Sequence, residues 1–219
     1  MKRLLTFVMT MVAALSAHAI FDYSASWNSG FANSGVVPDY TPDMPSWVDS
    51  RTVSGQEGII QSVSVLLNMS GGWNGDMYAY LQHGLTGFTV LLNQIGTGAN
   101  GNAGIGFNVT FSDSGTTGLG DYMGNGSGVL TGTWQPDGAG FGSFTGLDPN
   151  GGWNLYIQDG SKDGVMTVNS WGLQLGLSPV PEVETWVSAA LLGLVFVGWQ
   201  IQFRARWGKK PVPAKSGTA

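Results

Sequence analysis

The chain has 219 residues, no cysteine and a formal net charge of −5. Without cysteine, disulfides, thiolate metal sites and cysteine nucleophiles are excluded, so stability must come from packing, ladder hydrogen bonds or bound ions. The charge is unevenly divided: residues 20–178 hold two cations, Arg51 and Lys162, against twelve carboxylates, a balance near −10 that excludes nucleic acid as a partner, because phosphates need clustered Lys and Arg.

Residues 1–19 read as a secretory signal segment. Lys2 and Arg3 precede an apolar stretch over 4–15, and Ala17-His18-Ala19 supplies the small-x-small cleavage pattern, which sets Ile20 as the expected mature N-terminus. Residues 20–54 are turn-rich, with Asn28-Ser29-Gly30 and prolines at 38, 42 and 45, and are expected to supply an edge strand and a long loop. Alternation then begins. Over 59–69 it places Val63, Val65 and Leu67 on one face of a strand. A turn over 71–76 leads to a second strand at 77–82, in which Tyr78 and Tyr80 share a face.

Five more strands are predicted at 88–93, 106–111, 128–134, 153–158 and 168–175, each bounded by Gly, Asn, Asp or Pro. Trp153, Leu155 and Ile157 alternate onto one face, as do Trp171, Leu173 and Leu175, and both rows are expected in the core. The glycine-dense tracts 96–106 and 115–128 read as surface loops. Close-spaced short strands with no amphipathic helix between them predict an all-β domain over 55–178, an antiparallel sandwich with a closed barrel as the alternative.

The end of the chain changes character. Val180-Pro181-Glu182 precedes an uncharged apolar run at about 186–203, followed by Arg204, Arg206, Lys209 and Lys210. Such a run is close to the roughly 20 residues that cross a hydrocarbon layer, so one transmembrane helix is predicted. The cations after it favour the cytoplasmic side and place the preceding domain outside. Over 179–210 this order resembles the PEP-CTERM sorting signal of Gram-negative bacteria. It departs where Val183 replaces the usual second proline and where a short polar tail, 211–219, continues past the basic cluster. The resemblance implies exosortase-like sorting machinery as a partner, and an exported protein anchored in the Gram-negative cell envelope or processed to the cell surface.

Two segments of the predicted domain, 63–81 (VSVLLNMSGGWNGDMYAYL) and 144–159 (FTGLDPNGGWNLYIQD), with WGLQL at 171–175, together resemble the P domain, or P/Homo B domain. That family is a jelly-roll β-sandwich found beside subtilisin-like proprotein convertases. Some of its members bind calcium, and the resemblance carries that role to Asp76 and Asp159. Independently, Asp159-Gly160-Ser161-Lys162-Asp163-Gly164 spaces oxygen ligands like the opening of a calcium loop, which adds Asp163. The twelfth position is Ser170, where a bidentate Glu belongs, so a plain hairpin turn competes with a calcium site there.

A catalytic centre is not expected. His83 is the only histidine beyond the signal segment, and it lies at a strand end without a nucleophile elbow. Zinc sites needing several histidines, and phosphate-cradling glycine loops, are excluded. The sequence thus predicts a non-catalytic, membrane-tethered β-sandwich that engages polymers or proteins, with extracellular polysaccharide as one partner. The alternative is an accessory P domain working with a separately encoded subtilisin-like serine protease.

Overall fold

A computed structural model describes residues 21–43, 45–96, 101–124, 126–178 and 183–207. The expected signal segment, the Val180-Pro181-Glu182 motif, Lys209 and Lys210 lie outside the described residues. The chain divides into two units, residues 1–179 and 180–219.

The first unit is built from nine strands: β1 (Phe21–Trp27), β2 (Trp47–Val53), β3 (Ile59–Gly71), β4 (Met77–His83), β5 (Gly87–Asn93), β6 (Gly106–Ser112), β7 (Leu130–Trp134), β8 (Gly151–Asp159) and β9 (Met166–Ser178). They form a five-stranded sheet in the order β1-β9-β3-β6-β7 and a four-stranded sheet in the order β2-β8-β4-β5. The connections β1/β2, β2/β3, β3/β4, β5/β6, β7/β8 and β8/β9 each cross from one sheet to the other. The prediction of a β-sandwich holds.

Period-2 patterning explains the core. On β3, Val63, Val65, Leu67 and Met69 are buried while Ser62, Ser64 and Asn68 point outward. Trp153, Leu155 and Ile157 of β8, and Trp171, Leu173 and Leu175 of β9, are buried as expected, with both indole rings at 1 % exposure or less. Each buried ring removes 150–250 Å2 from water, worth roughly 4–6 kcal/mol at about 25 cal/mol per Å2 before entropy is counted. The tryptophan N–H groups are also satisfied: Trp153 Nε1 donates to the Pro149 carbonyl at 3.0 Å, and Trp171 Nε1 donates to Asp49 Oδ2 at 2.6 Å.

Two expectations are corrected here. Residues 20–54 give two edge strands rather than one, β1 beside β9 and β2 beside β8, because Tyr23, Ala25 and Trp27 alternate with Asp22, Ser24 and Ser26 ahead of the prolines. The sandwich is also not wholly antiparallel, since β7 pairs parallel to β6. A loop long enough to carry the chain back across the sheet, residues 113–129, makes that direction available. Part of the tract predicted as surface loop turns inward: Asn102 is buried, its Oδ1 accepting from the Gly104 N–H at 2.9 Å.

The second unit contains one helix, α1 (Val183–Trp207). Its described side chains, 190–203, are mostly exposed apolar groups such as Leu192, Val195 and Trp199, interrupted by Gln200 and Gln202. Among the described residues no helix is long and apolar enough to cross a membrane, so the predicted transmembrane helix is not supported by the fold.

Candidate functional site

The predicted calcium ligands fall at one end of the sandwich. Asp76 closes a short 3-10 turn just before β4, and Asp159 ends β8; Met77 pairs with Asp159 across the two strands. The Gly160 N–H donates to the Asp76 main-chain oxygen at 2.8 Å and pins the two ends together. Both carboxylates are buried, at 8 % and 1 % exposure. Asp159 Oδ1 accepts from the Ser161 N–H at 3.1 Å, while Oδ2 is buried and receives no hydrogen bond from the described residues.

Electrostatics follow from that burial. Desolvation pushes the Asp159 carboxyl up to about 6, the charges of Asp76 and Asp39 push the same way, and the Ser161 N–H opposes them. Burial, with Asp39 again adding to it, raises Asp76 as well. Two carboxylates sharing a desolvated corner favour a proton or a cation between them. Asp163, by contrast, sits in the exposed turn with φ of 71°. Among the described residues no group of three or more His, Asp or Glu side chains is placed to hold a metal ion. The structure therefore brings together Asp76 and Asp159, and not all three.

His83 faces the interior. It is buried and stacks on Trp153 at 4.0 Å and 9°, with its two ring nitrogens against the carbonyls of Gly152 (3.0 Å) and Asp148 (2.7 Å). An imidazole held between carbonyls and an indole presents no base to a substrate.

A second surface was not evident from the sequence. On the outer face of the four-stranded sheet, three cross-strand rows run through β4. In the middle row Tyr80 lies between Tyr156 and Val90, with Val48 beyond Tyr156. On one side of it lie Ser50, Asn154, Gln82 and Phe88; on the other lie Gln158, Tyr78 and Asn93. None of these outward positions is charged, in a domain whose balance is near −10. Tyr80 and Tyr156 stack at 4.5 Å and 7°, Phe88 lies 5.3 Å from Tyr80, and Tyr78 lies 6.0 Å from it. The rings are half-buried by one another, and Phe88 is 48 % exposed. Ser50 Oγ donates to Asn154 Oδ1 at 2.6 Å, which fixes one amide at the border of the row.

Tyr78 and Tyr80 were visible as a same-face pair in the sequence. Tyr156 and Phe88 join them only through the register of β4 with β8 and β5, including a bulge that leaves Leu91 unpaired between the Ala79–Leu92 and Tyr80–Val90 partners. The opposite outer face, on the five-stranded sheet, has a different character: Ser62, Ser64, Asn68, Asn108, Thr110 and Gln174 supply hydroxyls and amides and no ring.

Fold and surface together define a two-sheet β-sandwich domain with an uncharged tyrosine-bearing face and a buried carboxylate pair at one end. No protein-family model matches the chain, and no curated protein matches it. Among solved structures it is similar to a chain of the Aeromonas sobria serine protease in complex with the chaperone ORF2, at 9% identity and a TM-score of 0.48, over 78% of this chain and 29% of that one. It is also similar to the serine protease of Aeromonas sobria at 10% identity and a TM-score of 0.46, over 76% of this chain and 29% of the other. The chain thus spans under a third of the length of either.

Proposed function

We propose that the chain is an exported, non-catalytic binding module, a jelly-roll-like sandwich that engages its ligand through the outer face of the four-stranded sheet. The observation that carries this reading is the Tyr80–Tyr156 stack, flanked by Tyr78 and Phe88 on a face without charge. Tyrosine offers a large rigid contact area at low entropic cost and is enriched in recognition surfaces for that reason. In this reading residues 1–19 direct export, the segment from 180 onward tethers the module in the envelope or is processed by exosortase-like machinery, and Asp76 with Asp159 binds calcium. Both carboxylates are hard oxygen donors of the kind that calcium takes, and Asp159 Oδ2, which no hydrogen bond occupies among the described residues, leaves the ion a ligand atom.

The test is retention of native envelope material by the tagged full-length protein against the Tyr80→Ala/Tyr156→Ala variant, both shown to be folded by their tryptophan emission. The wild type should retain envelope components that the variant loses. Equal retention would remove the face from function.

The second reading, an accessory domain for a separately encoded subtilisin-like protease, is favoured by the sequence segments that resemble P domains. They fall on β3, β4, β8 and β9, at the centres of the two sheets. Serine-hydrolase activity that co-purifies with the wild type and with the tyrosine variant alike would support it over the first.

A further inference from the structure

We infer that the outer face of the four-stranded sheet takes an uncharged polysaccharide chain, laid across the strands along the tyrosine row. The inference rests on the binding-module reading above and names its ligand class.

Ring chemistry makes the first part of the case. A pyranose unit presents a weakly polar face of C–H groups with hydroxyls around its rim. An aromatic ring has a negative face that accepts such C–H groups, and its flat area is removed from water on contact. Tyr156 and Tyr80 stand on adjacent strands, with Tyr78 and Phe88 on either side of them. Apolar contact is thus spread over the middle row and one ring in each flanking row, a patch that a repeating ligand can touch at more than one unit.

Polar groups make the second. Asn154, Gln82 and Ser50 border the row on one side, and Asn93 on the other. Amides and hydroxyls both donate and accept, which matches sugar hydroxyls and wastes neither capacity. Two hollows of the domain lie elsewhere, one lined by Asn28, Phe31 and Thr167 and another by Asp22, Ser62 and Gln174. Small molecules need a concave site that covers most of their surface. An open, uncharged face of this kind suits an extended chain.

Charge decides the class of polymer. An acidic polysaccharide would meet no cation on this face and would approach a domain balanced near −10, which repels it at low ionic strength. A cationic polymer would find no carboxylate among the outward positions of the row. The complementarity is to a neutral chain.

The experiment measures retention of the purified full-length protein on insoluble cellulose and chitin and its retardation in gels containing neutral soluble glucan, galactomannan or xylan, with alginate as the acidic comparison. Binding is expected to at least one neutral polymer, to survive raised salt, and to exceed binding to alginate. It should weaken about ten-fold or more in Tyr80→Ala/Tyr156→Ala, the loss expected when a central aromatic contact is removed. Phe88→Ala, at an exposed position that folding tolerates, should weaken it in the same direction, while Thr110→Ala on the opposite sheet should not. Binding to no neutral polymer, or to alginate at least as well, overturns the inference. If the tyrosine variant then still loses envelope material that the wild type retains, the module reading survives without a glycan; if it does not, both fall.

Discussion

Asp159 concentrates the chemistry of the acidic end in one side chain. An unfolded Asp titrates near 3.9, whereas the folded carboxyl is held at about 6 by desolvation and by the charges of Asp76 and Asp39. The native state therefore binds this proton more tightly. Its stabilising contribution is complete below about pH 4 and is lost as pH rises through about 6. In EDTA, the melting midpoint of the wild type should fall relative to that of Asp159→Asn between about pH 4 and pH 7. At the proposed calcium site an ion would reverse the disadvantage at pH 7, because a cation that binds only the folded state stabilises by mass action and replaces the missing proton. Millimolar calcium should thus raise the midpoint of the wild type at pH 7 by more than that of the variant. Parallel pH profiles for the two proteins would remove Asp159 from the balance, and an unchanged midpoint in calcium would remove the ion.

At the scale of elements, strand pairing depends on polar anchors as well as on apolar rows. Asn74, in the turn between β3 and β4, is buried and grips the start of β6: its Nδ2 donates to the Gly106 carbonyl at 3.1 Å, and its Oδ1 accepts from the Gly106 N–H at 2.8 Å. Gly106 itself has φ of 145°, and a Cβ there would meet the Met69 carbonyl oxygen at 2.4 Å. No other residue lets β6 start so close to β3. Replacing Asn74 by Ala would leave both Gly106 groups without their side-chain partner, at about 2–6 kcal/mol for two such groups. Urea denaturation should show that loss with an unchanged slope, and a cost under about 0.5 kcal/mol would mean that water or a neighbour takes over the bonds.

Legibility in the sequence divides along the same line. The central strands β3, β4, β8 and β9 are readable because each buries one face against the other sheet, so apolar and polar residues alternate along most of their length. Both core tryptophans followed from that alternation. β1 was masked by the prolines and turn residues that follow it in the same tract. The direction of β7 was not encoded locally at all, since a five-residue strand with no fully buried position looks the same in either orientation. The carboxylate pair is half legible: Asp76 and Asp159 stand in segments that the sequence marks as acidic turns, but Asp39, whose charge reaches both, lies in a loop whose path only the fold determines. The tyrosine face needed long-range register, which a one-dimensional pattern does not contain.

For the whole molecule, the division into two units separates stability from location. Every described core side chain lies between Val37 and Leu177, and β9, the last strand, ends at Ser178. The described buried core thus lies before residue 180. Removing residues 180–219 should leave the melting midpoint within about 2 °C of the full chain, since a change of 1 kcal/mol shifts a domain of this size by roughly 2–4 °C. Its distribution should change instead. The removed segment contains the uncharged run at 186–203 and the cations that follow it, which the proposed tether requires for partition into the membrane fraction. Fractionation of cells expressing the two forms should find the shortened protein released, with glycan binding on the tyrosine face retained. A fall in midpoint beyond about 4 °C would make the tail a structural part of the sandwich, and unchanged sedimentation with membranes would place the tether elsewhere in the chain.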